Sequence, residues 1–215
     1  WKVSVENLVV DKTNFAFKDD NQPRMRGFDY FDIHINDLAT SLENLYYSSD
    51  SISGSLENLT AKDHSGFFIK QLKADFEYTN QGAIIKNLLA ETPYTSIKDY
   101  IRISYPSLDA IANNPNFMLI DANIRKTTID MRDIRYFVPD LDQMDVMKPL
   151  MTKKFFIDGR VAGRINDLSI PHLEFKTLAN TQLVASAHIK GLPDMDKLNI
   201  DLILKKLTTS RNDLD

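Results

Sequence analysis

The sequence predicts an all-β fold made of antiparallel strands. Apolar and polar residues alternate with period two along most of the chain, which is typical of strands with one face toward water. Clusters of turn-forming residues interrupt this alternation at 18–23, 79–82 and 190–194. Helical periodicity is confined to two short segments. With 215 residues, 43% of them apolar, the chain is long enough for a substantial core and too apolar to be disordered.

Individual strands are visible as alternating runs from the first residue onward. The chain opens with one at Trp1–Val5, and the clearest run is Leu72–Tyr78, which has one apolar and one charged face. The aromatic pairs Phe28/Tyr30 and Phe76/Tyr78 also alternate, and we expect such aromatics to be mostly core. The other runs are Phe31–Ile35, Ile101–Tyr105, Phe155–Val161, Leu173–Thr177, Leu183–Ile189 and Leu198–Leu204.

Two segments carry helical signals. Ser107 precedes Leu108 and Ile111, so the sequence predicts that Ser107 caps about two turns of helix ending near 113–115. A second short helix or irregular segment is predicted around Leu141–Lys148, where Met144 and Met147 are three residues apart.

Prolines at 139 and 149 flank that second segment and suggest how the chain is organised. They predict a first β-groove segment at 1–138, a connector at 139–150 and a second β segment at 151–215 that continues the first.

One four-residue phrase recurs where alternation falters: apolar, any residue, Asn or Asp, apolar. Asn and Asp tolerate left-handed backbone, so each copy predicts a β-bulge or a strand-to-strand bend that leaves both apolar residues facing inward. Chance similarity is the competing explanation for a single copy, but the phrase occurs six times. The copies are Val5–Leu8, Ile35–Leu38, Leu42–Leu45, Leu56–Leu59, Ile85–Leu88 and Ile165–Leu168.

Composition excludes several classes of function. The net charge of −4 and the lack of a basic block argue against a nucleic-acid partner. The absence of cysteine excludes disulfides, a thiol nucleophile and thiolate metal ligands. No apolar run is long enough to span a bilayer.

No catalytic or metal-binding pattern stands out. His34, His64, His172 and His188 are not at ligand spacing, so we interpret them as surface or partly packed residues. The carboxylates are spread along strand faces, which a solvated face accounts for more simply than a glycosidase pair. No nucleophile elbow surrounds Gly54, and no glycine-rich phosphate loop is present. We therefore predict a protein that is not an enzyme and needs no cofactor or metal.

The order of several phrases resembles the AsmA/TamB-like envelope proteins, in particular the long TamB-like forms of Bacteroidetes-type bacteria. The resemblance covers most of the chain, and the order of the phrases is more specific than any one of them. They are Ser53–Leu59, Lys62–Phe67, Asn87–Ser96, Asp133–Leu141, Gly159–Leu168, Ile189–Asp194 and Thr208–Leu214.

The resemblance implies an elongated, curled antiparallel sheet, like a groove or taco, with one or two short helices. It also implies a periplasmic segment that offers an apolar groove for phospholipid passage between the two membranes, for outer-membrane protein assembly, or for both. The partners would be phospholipid or another acyl-chain ligand, and further outer-membrane assembly factors or β-barrel substrates. The resemblance also implies an anchor helix in the inner membrane. Because the chain starts directly in a strand at Trp1, we interpret it as a fragment and expect that helix to lie upstream.

The alternation alone selects residues expected to line such a groove. They are Leu72, Ala74, Phe76, Tyr78, Ile101 and Ile103. The connector 139–150 and the helix after Pro106 are expected to plug or cap part of the groove.

Two other functions fit the same alternation. A β-sandwich binding module, such as an adhesin or a carbohydrate-binding domain, would close two apolar faces on each other. A scaffold that holds partner proteins by edge-strand addition would use exposed sheet edges.

Overall fold

The chain forms one curled, open antiparallel sheet of eleven strands with two short α-helices, which confirms the predicted fold class. The structure, a computed structural model, describes residues 1–143, 148, 150–151, 153–177 and 181–210. The strands are β1 (Val3–Lys18), β2 (Asp32–Tyr47), β3 (Ser51–Asp63), β4 (Phe68–Thr79), β5 (Gly82–Glu91), β6 (Ser96–Ser104), β7 (Leu119–Asp130), β8 (Lys154–Arg164), β9 (Asp167–Thr177), β10 (Gln182–Lys190) and β11 (Asn199–Thr208). The helices are α1 (Leu108–Asn113) and α2 (Met131–Phe137).

The sheet is a simple meander. Every strand pairs with its neighbours in sequence, so the spatial order is β1 to β11, and β7 pairs directly with β8 across the connector. Since successive strands are antiparallel, all loops that follow odd-numbered strands lie at one end of the sheet. The loops that follow even-numbered strands lie at the other end. We call these the odd-loop end and the even-loop end.

The two faces of the sheet differ in chemistry. On β4, Leu72, Ala74, Phe76 and Tyr78 lie on one face, which we call the inner face, and Lys73, Asp75 and Glu77 lie on the other. Directly paired residues of neighbouring strands share a face. Phe76 pairs with Ile85, which pairs with Ile101, while Asp75 pairs with Lys86. The inner face is therefore apolar across several strands, and the outer face is charged.

The recurring phrase marks bulges in the sheet. The copies at Ile35–Leu38, Leu42–Leu45, Leu56–Leu59 and Ile85–Leu88 each coincide with a shift in strand register, which confirms the predicted bends. In three of these copies Asp37, Asn44 and Asn87 adopt left-handed φ values of 52° or 53°. An extra residue in one strand increases local twist and bends the sheet.

The remaining two copies behave differently. Val5–Leu8 pairs directly with Leu42–Leu45, so the two strands stay in register there. Ile165 and Asn166 form the tight turn between β8 and β9, so this last copy is a hairpin turn and not a bulge.

Bulges extend beyond the recurring phrase, because each of the ten strand pairings contains at least one register shift. Lys12, Asp99 and Lys126 also have left-handed φ values, of 49°, 111° and 46°. Lysine has no special tolerance for this conformation, so the residue type at Lys12 and Lys126 does not explain their left-handed backbone. The sheet therefore bends along a seam that crosses all eleven strands.

Polar groups on the outer face stabilise the bulges. Asp75 accepts hydrogen bonds from Ser55 Oγ at 2.7 Å and from Asn87 Nδ2 at 2.6 Å. These two donors hold the pKa of Asp75 below its usual range. At a later bulge Asp158 accepts a hydrogen bond from the backbone N–H of Lys126 at 3.2 Å. Some of the charge on the outer face thus holds the strand bends in place.

One of the two predicted helical segments can be compared in full with the structure. Ser107 caps α1, its hydroxyl accepting a hydrogen bond from Ala110 N at 3.1 Å, and the helix ends at Asn113 as predicted. A second helix, α2, at Met131–Phe137, was not predicted, and a 3-10 turn follows it at Pro139–Gln143. Of the segment predicted as a short helix or irregular at 141–148, residues 141–143 lie in that turn and most of the others lie outside the described residues. Asp130 caps α2 by accepting from Arg132 N. Met144 and Met147 lie outside the described residues.

The left-handed bulge at Asn87 leads to a stability prediction. Asn87→Val should lower the free energy of unfolding by about 2–3 kcal/mol, because a β-branched residue resists this conformation and the bond to Asp75 is lost. Asn87→Gly should cost only about 1 kcal/mol, because glycine adopts left-handed φ freely. Urea unfolding of both variants measures the difference, and equal costs would contradict a requirement for left-handed backbone at this bulge.

Candidate functional site

An unbroken apolar row crosses the inner face from one edge of the sheet to the other. Each strand contributes one residue, and each residue pairs directly with the next one. We call this the lip row, because it lies beside the turns of the even-loop end. Its members are Val3, Tyr47, Ile52, Tyr78, Ala83, Ile103, Ile120, Gly163, Leu168, Ile189 and Ile200.

All six residues predicted to line a groove lie on this inner face. Tyr78 and Ile103 belong to the lip row itself. Phe76 and Ile101 belong to the next row, which runs from Gly54 through Ile85 to Ala122 and Val161. Leu72 and Ala74 follow further from the lip row on β4. Their sharing of one face is a property of the structure, and their contact with lipid stays a prediction.

The second row contains two small residues, Gly54 and Ala122, among larger ones. Gly54 faces Phe76, and a Cβ atom built on Gly54 would lie 3.3 Å from the Phe76 ring. Ala122 is 7% exposed between Ile101 and Val161. Small side chains leave room between opposite walls of a curled sheet, so the inner face forms a trough.

The inner face is incompletely covered. Among the described residues only seven apolar side chains are buried, whereas twenty-two large apolar side chains are exposed. The accessible surface is 13727 Å², while a compact monomer of 24.6 kDa would expose about 10,100 Å². On the inner face, the exposed apolar side chains include Val3, Tyr47, Tyr78 and Ile200. Contiguous exposed apolar surface on a soluble protein marks an interaction surface.

Aromatic residues close the trough at the odd-loop end. Phe67 lies at the centre, with its ring centroid 5.0 Å from that of Phe137, 5.4 Å from Tyr136 and 5.7 Å from Phe28. Phe28 comes from the loop between β1 and β2, and Tyr136 and Phe137 come from α2. We call this assembly of loop 19–31, Phe67 and α2 the cap. It joins the β1–β2 side of the sheet to the β7–β8 side.

The cap bears on two predictions, one for the aromatic pair Phe28 and Tyr30 and one for the plug over the groove. Phe28 and Tyr30 lie in the loop that precedes β2 and not on a strand, and their rings pack edge to face at 5.2 Å. The helix α2, which precedes residue 139, covers part of the trough, whereas much of the connector from which a plug was expected lies outside the described residues. The short helix α1 lies at the even-loop end, opposite the cap.

Backbone contacts hold the two halves of the cap together. Phe28 N donates a hydrogen bond to Tyr136 O at 2.7 Å. Gly27 has a φ of +82°, and a Cβ atom at that position would lie 2.3 Å from Tyr136 O. Only glycine permits this approach.

Two buried carboxylates fix the shape of the cap. Asp29 accepts hydrogen bonds from Met25 N and Phe31 N, both at 2.9 Å, and these N–H groups lower its pKa. Asp130 binds the Arg132 guanidinium through Nε at 2.9 Å and Nη2 at 2.7 Å, which lowers the pKa of Asp130. The Arg132 guanidinium also lies 3.6 Å from the centroid of the Tyr94 ring.

An apolar cavity of about 530 Å³ lies beneath α2. The helix contributes Met131 and Ile134, and the inner face of β7 to β9 contributes most of the other walls. The described lining residues are Ile129, Met131, Ile134, Leu150, Lys153, Phe155, Ile157, Phe175, Thr177 and Thr181. No signal in the sequence joined these residues, because α2 and the strands meet only after the cap has folded.

The histidines lie near carboxylates on the surface. His34 Nε2 is 2.8 Å from Asp32 Oδ1, and His188 Nε2 is 2.6 Å from Asp167 Oδ1. The rings of His34 and His64 meet edge to face at 5.1 Å. Within the described ranges no group of three or more His, Asp or Glu side chains is placed to hold a metal ion.

Comparison of the chain with protein-family models, curated proteins and solved structures found no significant match. The resemblance to the AsmA/TamB-like family therefore stays a prediction. In the part of the chain that the structure describes, no helix has the length and apolar character needed to cross a bilayer.

Gly27 tests how the cap is held. Gly27→Ala should open the cap, because the new methyl group meets Tyr136 O and the backbone is left-handed. We expect faster hydrogen exchange of the α2 amides and a loss of about 2 kcal/mol in stability. Gly54→Ala, at a glycine without positive φ, is the control and should leave exchange in α2 unchanged. Unchanged exchange in Gly27→Ala would contradict the contact.

The carboxylates predict that the cap is sensitive to acid. The pKa of Asp130 is lowered by Arg132, so its stabilising effect is complete above the usual value near 3.8 and is lost as the pH falls through the lowered value. The free energy of unfolding should therefore fall between about pH 5 and about pH 2. Asp130→Asn should be less stable at neutral pH and show a shallower acid dependence. Identical slopes for both proteins would refute a role for Asp130.

Proposed function

We propose that this chain is a periplasmic segment of an AsmA/TamB-like envelope protein whose trough carries phospholipid acyl chains between the inner and outer membranes. The observation that carries the proposal is the lip row, which presents an apolar surface across all eleven strands without a polar break. The resemblance described above supplies the envelope, the inner-membrane anchor and the link to outer-membrane assembly.

The chemistry of the trough suits an acyl chain better than a polar ligand. Each methylene group taken from water contributes about 0.8 kcal/mol, whichever apolar side chain it touches. A chain lying on Tyr78, Ile103 and Ile120 can therefore shift along the row at little cost. The charged outer face keeps the trough in solution while it does so.

Exposure along the lip row supports the same proposal. Val3 is 39% exposed, Tyr47 41%, Tyr78 37% and Ile200 57%, so the row is open to a ligand at both edges and in the middle. The cap closes the opposite end of the trough. A lipid would thus enter from the even-loop end or from an edge of the sheet.

The alternative functions differ in the support they have. The sandwich module requires two packed sheets, whereas all eleven strands belong to one sheet. The scaffold by edge-strand addition has an observation in its favour. β11 is an edge strand of the sheet, and its residues Ile200, Leu202 and Leu204 are about half exposed, at 57%, 53% and 49%.

Substitutions on the inner face test the lipid proposal. Phe76→Asp and Ile103→Asp place a charge in the trough and should abolish lipid that copurifies or crosslinks with the protein. Ile84→Asp is the matched control, because Ile84 pairs with Glu77 and Arg102 on the outer face. Mass spectrometry of the purified proteins measures bound phospholipid, and circular dichroism checks the fold.

Unchanged lipid occupancy in folded Phe76→Asp and Ile103→Asp would refute the trough as the lipid site. Wild-type protein that carries no lipid but binds an unfolded outer-membrane β-hairpin would favour the scaffold instead.

A further inference from the structure

The cavity beneath α2 differs from the rest of the trough in containing one isolated charge. Lys153 lines the cavity, and it is the one charged residue among the described lining residues. It alternates with Phe155 and Ile157, which places it on the inner face. The Lys153 side chain is only partly exposed, and its ammonium group makes no ion pair or hydrogen bond with the described part of the chain.

The backbone around Lys153 is well anchored. Lys153 N donates to Leu150 O at 2.8 Å, and Lys153 O accepts from Met131 N at 3.3 Å. The second bond ties Lys153 to the start of α2, the same helix that covers the cavity. The backbone at Lys153 is therefore tied to the cap.

Lys153 lies beside an apolar cavity and has no counterion in the part of the chain that the structure describes. Partial burial weakens the hydration of the ammonium group, and the described lining residues include no carboxylate that compensates for it. A ligand with an anionic head and an apolar tail would supply both missing partners. Thr177 and Thr181 add polar groups among the lining residues.

The size of the cavity indicates how long an acyl chain it can hold. A volume of about 530 Å³ divided by the ~30 Å³ that a water-sized group occupies leaves room for roughly 18 carbon atoms. One long acyl chain therefore fits in the cavity. The single-chain anion with the simplest head is a long-chain fatty acid.

We infer that the cavity beneath α2 is a binding site for one long-chain fatty acid, with its carboxylate on Lys153 and its tail between Ile134, Phe155 and Phe175. This inference rests on the proposed function, since it names a single-chain ligand for the closed end of the same trough. The site holds its ligand by a charge contact, in contrast to the lip row, where an acyl chain is free to slide.

Titration of the full chain with palmitate labelled with ¹³C at the carboxyl carbon tests the site. At about pH 8, where the carboxylate is ionised, the wild-type protein should bind one equivalent and prefer palmitate to hexadecanol by about tenfold. Lys153→Met should remove that preference and the shift of the carboxyl resonance. Lys70→Met, at an exposed lysine on β4, should retain both.

A second variant tests the cavity itself, independently of the contact between Lys153 and the carboxylate. Ile134→Trp fills the cavity from α2 and should reduce the binding of palmitate and hexadecanol alike by at least about tenfold. An unchanged preference in Lys153→Met, or unchanged binding in Ile134→Trp, would overturn the inference.

Phospholipid occupancy of the same variants separates this site from the trough. Lys153→Met and Ile134→Trp should retain copurifying phospholipid, and Phe76→Asp should lose it. If phospholipid is present but palmitate does not bind, the inference fails and the proposed function stands. If palmitate binds but the wild-type protein carries no phospholipid, the proposed function fails and the cavity remains a fatty-acid site.

Discussion

A single sheet without a covering layer must bury its apolar face by bending, and every other feature of this protein depends on that constraint. The helices of the described residues are too few and too short to cover eleven strands. The register shifts present in all ten pairings supply the bend. Bending hides the small residues, such as Ala122 and Ala185, while large side chains near the edges stay accessible. The seam of bulges and the apolar trough therefore have one cause, the need to bend the sheet around its apolar face.

Local patterns were sufficient to predict much of the sheet. Alternation identified strands because each side chain reports which face it occupies, and Asn or Asp marked bulges where left-handed backbone was needed. The same reasoning missed Lys12 and Lys126, where the register of neighbouring strands imposes a conformation that lysine does not favour. It also missed α2. The capping residue Asp130 was a readable signal, but the aromatic partners of the helix come from loops about seventy and one hundred residues earlier.

In the candidate site, too, some residues follow from local patterns in the sequence and others do not. The four lining residues on β4 follow from alternation within one strand, and the two on β6 follow from a second run. Their alignment into a row across all strands depends on the bulges, because each shift of one residue moves side chains to the other face. The cap and its cavity depend on contacts between distant segments, including Gly27 against Tyr136. Such contacts leave no periodic trace in the sequence.

The nearest-neighbour pairing of the strands makes the molecule nearly one-dimensional. Each internal strand has its main contacts with the strands just before and just after it, so cohesion accumulates hairpin by hairpin, as in repeat proteins. An architecture of this kind has no intrinsic length. Adding or deleting a hairpin changes the span of the trough without rebuilding a central core, provided that the new strands keep a small or apolar residue in each inner row. The length of the trough is then set by how many times one simple unit, the hairpin, is repeated.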